Sequence, residues 1–127
     1  MSLENEDLIE IEARTEFLEA ESKPSDNRFV FAYFIKIRNV SSQPAQLLRR
    51  HWIITDANGK VQEVRGDGVV GEQPQVAPGQ VYQYASGAVL ETSVGTMRGY
   101  YTMCTPDGDQ FKAEIPTFTL SIPRTLH

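Results

Sequence analysis

Cysteine is nearly absent: Cys104 is the single thiol in 127 residues. A lone cysteine excludes an internal disulfide and a C-x-x-C zinc site. Histidine is scarce too, represented by His51 and the final His127. A Ser-His-Asp or Cys-His arrangement would have to be built on His51. Surplus positive charge is missing: 12 Lys and Arg stand against 17 Asp and Glu, a formal balance of −5. General nucleic-acid binding needs a basic face to neutralise phosphates, so that class is set aside. No apolar run reaches the length of a membrane span, so membrane insertion is not expected. The opening MSLENEDLIEIEART is acidic and its apolar run is broken, unlike a secretion signal. A reducing, cytoplasmic setting is the expectation. No window carries the 3.6-residue apolar period of an amphipathic helix.

What is present is alternation. In LIEIEARTEF, Ile9, Ile11, Ala13 and Phe17 fall on one face and Glu10, Glu12, Arg14 and Glu16 on the other. That is a half-buried strand whose charges discourage edge pairing. FVFAYFIKIRNV places Phe31, Tyr33, Ile35 and Ile37 on one face. AQLLRRHWIITD follows, with Leu48, Trp52 and Ile54 assigned to the core and His51 to the face of Leu47, Arg49 and Ile53. Asn58-Gly59 is a strong hairpin signal, because both residues tolerate positive φ. KVQEVR, VYQYAS, TMRGYYTMCT and QFKAEIPTFTLSIP complete about seven strands. The predicted architecture is all-β, an antiparallel immunoglobulin-like or fibronectin type III-like sandwich. One domain is expected over residues 1–127, with a core from roughly 7 to 123 and a short loose tail. Trp52 fits the tryptophan that such sandwiches bury on the third strand, here without the disulfide usually beside it.

The loop RGDGVVGEQP poses the functional question. Gly66, Gly68 and Gly71 spell G-x-G-x-x-G. In a dinucleotide-binding turn the glycines let the backbone approach pyrophosphate, a helix N-terminus supplies free N–H groups, and an acid about twenty positions on takes the ribose. A strand does precede the glycines, and Glu91 follows Val89-Leu90. The helix fails: Pro74 and Pro78 would each cost about 3 kcal/mol inside it, and Gly79 about 1 kcal/mol. Asp67 and Glu72 add charge that repels phosphate. A weaker reading survives, an anion-binding nest of loop N–H groups helped by Arg65, with Arg49 and Arg50 if the fold brings them near. Its ligand would be pyrophosphate or a nucleotide. Arg65-Gly66-Asp67 also spells a cell-adhesion tripeptide, read as coincidence without a secretion signal.

Enzyme chemistry finds no set to work with. A half-exposed strand histidine such as His51 is ordinarily structural. Cys104 has no neighbouring base in sequence to favour its thiolate. Ser86 in YASGA lacks the G-x-S-x-G frame of a nucleophile elbow. Glu63, Asp67, Glu72, Asp107 and Asp109 have no recognised cation-loop spacing. No catalytic residue, metal site or cofactor is therefore assigned.

RRHWIITDANGKVQEVRGDGVVGEQPQVAPGQVYQYASG, then GTMRGYYTM, DGDQFKAEIP and FTLSIP, resembles the ApaG family over nearly the whole chain. Thr92-Ser93 departs from a Thr-Pro common there. The resemblance implies a fibronectin type III-like sandwich and makes Gly66, Gly68 and Gly71 a family feature. It also implies an association with magnesium and cobalt efflux or tolerance, and use as a protein-interaction module. No enzymatic activity is implied. The expectation is a non-enzymatic module with an unidentified protein partner; the alternative is a nucleotide-binding protein using the glycine loop.

Overall fold

The computed structural model describes residues 8–123. Eight strands follow in order: β1 (Ile9–Phe17), β2 (Phe29–Asn39), β3 (Ala45–Asp56), β4 (Val61–Asp67), β5 (Gln75–Val76), β6 (Val81–Leu90), β7 (Val94–Cys104) and β8 (Gln110–Ser121). Two short 3-10 turns lie between β1 and β2. The predicted sandwich is present: one antiparallel sheet runs β1-β2-β6, and the other runs β4-β3-β7-β8 with β5 beside the start of β3. β6 extends to Leu90, beyond the VYQYAS segment predicted for it. Pro116, which cannot donate to a ladder, sits on the edge strand β8 at a local irregularity of the β7–β8 pairing.

The alternation in β1 and β2 has a physical reason: each has one face against the other sheet. Phe31, Tyr33, Ile35 and Ile37 are buried while Glu10, Glu12, Arg14 and Glu16 are exposed. In β3 the faces differ from those that unbroken alternation predicts. Leu47, not Leu48, is buried in the core with Trp52 and Ile54. Leu47 and Trp52 are an odd number of positions apart, so an unbroken strand would put them on opposite faces. A bulge between Leu47 and Arg49 inserts Leu48 as an extra residue and changes the phase.

Trp52 is 2% exposed and stands edge-on among aromatic rings: Tyr33 at 5.4 Å, Phe118 at 5.8 Å and Tyr101 at 6.2 Å between centroids. Immunoglobulin domains set a disulfide beside their buried tryptophan; here aromatic rings surround it. Its indole Nε1–H has no oxygen partner. One buried polar residue, Asn39, went unremarked in the sequence. Its Nδ2 donates to Gln43 O (2.7 Å) and Val76 O (2.9 Å), and its Oδ1 accepts from Ser41 N (2.9 Å). It ties β2 to β5 and to the loop leading into β3.

The two long sides of the sandwich differ. On one, β1 packs along β8, and Thr15 Oγ1 donates to Thr119 O. On the other, β4 and β6 scarcely touch. Tyr84 reaches from β6 across the interior to bond the Tyr101 hydroxyl on β7, and Tyr82 OH donates to Glu72 Oε2 at 3.0 Å. Burial pushes the Tyr84 and Tyr101 phenols well above the ordinary value.

Trp52→Ala loses about 3–5 kcal/mol in urea unfolding, while Trp52→Phe loses less, since a ring remains and the unpaired donor goes. A Trp52→Ala protein as stable as wild type would mean the core is not built around this ring. For the phenols, the folded values are raised, so their stabilisation is complete below about pH 10 and is lost as pH climbs towards them. Tyr84 and Tyr101 should ionise together with loss of near-ultraviolet circular dichroism. Ionisation of all five tyrosines near pH 10 with the fold intact contradicts this.

Candidate functional site

The glycine loop is built on the β3 bulge. Leu48 O, turned out of the ladder, accepts from Gly68 N at 2.8 Å and from Gln73 Nε2 at 2.9 Å. The chain then makes a two-residue turn: Val69 N donates to Glu72 O (2.8 Å) and Glu72 N to Val69 O (3.0 Å). Its central residues Val70 and Gly71 have φ of 49° and 80°. Positive φ at both is the signature of a type I′ turn. Val69 plugs inward at 1% exposure. Thus the turn that Asn58-Gly59 advertised lies at Val70-Gly71. The Asn58 hairpin exists, but as a three-residue loop in which Gly59 alone takes positive φ.

The three glycines serve different needs. Gly66 is on β4, opposite Arg50. A Cβ there would stand 2.7 Å from the Arg50 guanidinium, which lies against the strand and donates from Nη1 to Asp67 O (3.0 Å) and Gly68 O (2.9 Å). Gly68 combines φ of 65° with a close approach: a Cβ would sit 2.2 Å from Glu72 O. Gly71 meets open space and is needed for its φ alone. The amides of Gly68, Val69 and Glu72 are bonded to the protein's own carbonyls, so they form no open row for an anion.

The fold does bring the arginines together. Antiparallel pairing sets Arg49 opposite Asp67, Arg50 opposite Gly66 and His51 opposite Arg65. On the outer face of this sheet, Arg49, His51, Arg65, Tyr100 and Thr102 line an open groove of about 410 Å³. His51 is held at both ring nitrogens, Nδ1 to Tyr100 OH (2.8 Å) and Nε2 to Glu63 Oε1 (2.6 Å). Arg65 Nη2 donates to the same carboxylate oxygen at 2.7 Å. Arg65 first, and His51 next, hold the Glu63 carboxyl below the usual carboxylate range. Lys112 Nζ stands over the Tyr100 ring at 4.4 Å. Sequence reasoning left His51 without partners. No spacing motif joins positions 51, 63 and 100, but the register of three neighbouring strands does. Leu47 is absent from this face because of the bulge.

The other candidates lie apart. Cys104 Sγ donates to Thr105 O, and Ser86 stands beside Tyr33 in the opposite sheet. Glu91, the acid expected for a ribose, takes Lys60 Nζ at 2.9 Å. Asp107 and Asp109 flank Gly108 in the β7–β8 turn. Among the described residues, no three His, Cys, Asp or Glu side chains converge as a metal site. No helix there is long and apolar enough to cross a membrane.

The family model for the ApaG domain matches residues 19–105. The chain belongs to the ApaG family. Protein ApaG of Aromatoleum aromaticum is 60% identical over 119 residues, covering 94% of each chain. Protein ApaG of Dechloromonas aromatica is 52% identical over the full length of both. A crystal structure of a putative ApaA protein from Bordetella pertussis superposes with a TM-score of 0.89 at 46% identity, covering 92% of this chain and 95% of that one. The C-terminal domain of wzt, at 12% identity and a TM-score of 0.55, shares the fold alone.

In this ApaG-family chain the glycines can be told apart by stability. Gly71→Ala is expected to lose about 1–2 kcal/mol through its φ. Gly68→Ala loses more, because backbone must move as well. Val70→Asn, which creates the preferred Asn-Gly pair, gains about 1 kcal/mol. Urea midpoints measure all three. Alanine variants as stable as wild type would show that these glycines are kept for something other than shape.

Proposed function

We propose that this domain is a non-enzymatic interaction module, working in the cytoplasm and influencing magnesium and cobalt efflux or tolerance through a protein partner. The observation that carries the reading is the outer groove of the second sheet. Arginine, tyrosine and histidine side chains are fixed there by hydrogen bonds before any partner arrives. Arginine and aromatic residues are the usual anchors of protein interfaces, and pre-ordered ones lose less entropy on binding. Both nitrogens of His51 are engaged, which fixes the ring in place for contact with a partner. The nucleotide alternative lacks support from the loop, whose amides close the turn on itself.

The test is complementation of cobalt tolerance in cells lacking the gene. An Arg65→Glu, Tyr100→Ala double variant should remain folded by circular dichroism, fail to restore tolerance and lose cross-linked partners. Lys36→Glu, on the other sheet, should restore it. Full tolerance from the double variant would sink the assignment of this face.

A further inference from the structure

β6 is an edge strand without the usual guards. Edges invite pairing with other chains unless charge, proline or a bulge blocks them. The other long edges are guarded: β1 by Glu10, Glu12, Arg14 and Glu16, β4 by Glu63, Arg65 and Asp67, and β8 by Lys112, Glu114 and Pro116, while β5 is only two residues long. β6, VYQYASGAVL, has ten residues with no charge and no proline. It is paired with β2 on one side, and β4 on the facing sheet scarcely touches it. Ser86 points between the sheets by alternation, yet it is exposed. Gln83, Ala85 and Gly87 are exposed beside it, so the middle of the edge stands open to solvent around Ala85.

The strand is also complementary to itself. In an antiparallel pair, residues directly opposite point to the same face, so a symmetric register must centre on a residue. Centring on Ala85 places Tyr84 opposite Ser86 and Tyr82 opposite Ala88 on the inner face. On the outer face it places Gln83 opposite Gly87 and Val81 opposite Val89. Large meets small in three of these pairs, β-branched meets β-branched in the fourth, and no charges meet. Isologous pairing demands this kind of self-complementarity. We propose that β6 pairs with β6 of a second copy across a two-fold axis at Ala85, joining two three-stranded sheets into one of six.

An edge contact of this kind falls in the small, transient class of interface. Sedimentation equilibrium of the full chain up to about 1 mM should show the mass rising from 14.3 kDa towards twice that value. Ala85→Lys, which sets two ammonium groups face to face on an exposed site, should stay monomeric and fold normally. Val61→Lys, on the β4 edge, should associate as wild type does. Opposed residues carry Cβ atoms about 4.5–5.5 Å apart. A Cys104→Ser, Ala85→Cys protein should therefore cross-link on mild oxidation, and Cys104→Ser, Val61→Cys should not. A wild-type chain that remains monomeric throughout, or an Ala85→Lys chain that associates equally well, overturns the proposal.

Discussion

The extra residue at Leu48 is the constraint on which the rest of this molecule depends. Side chains on a strand alternate strictly, so one inserted residue exchanges the faces of everything beyond it. Before the insertion Leu47 faces the core; after it Trp52 and Ile54 do. The same residue frees a carbonyl that receives Gly68 N and Gln73 Nε2. Beyond it, Arg50 turns to hold the carbonyls of Asp67 and Gly68, while His51 turns outward to Tyr100 and Glu63. Core, loop and outer groove are three consequences of one irregularity.

Much of the sandwich was legible because its strands are amphipathic. β1 and β2 each set one face against a core, and their apolar positions fell where alternation put them. The bulge was not legible: AQLLRRHW contains two adjacent leucines, and either phase reads as a plausible strand. The His51 cluster was hidden for a related reason. Its members come from β3, β4 and β7, and only the pairing register makes them neighbours. Asn39 escaped because a buried amide leaves no periodic trace.

The glycine motif shows how the same letters can answer different physical demands. A phosphate cradle needs glycine so that a ligand can approach. Here it allows a guanidinium to lie against β4, a carbonyl to crowd Gly68, and a turn to close at Val70-Gly71. The type I′ turn also explains why a β-branched residue sits at positive φ: its neighbour Val69 is anchored in the core and the carbonyls on either side are already bonded. Spacing alone could not distinguish these cases. The prolines that follow removed the helix, and the hydrogen bonds supply the alternative.

Trp52 is the one indole in the chain, and it stands where side chains of both sheets meet: Tyr33 from the first, Tyr101 and Phe118 from the second. Excitation absorbed by those tyrosines lies within a few ångströms of a single acceptor. Its emission therefore registers whether the two sheets remain stacked, independently of the loops at either end. The molecule carries an intrinsic fluorophore at the joint that defines its fold.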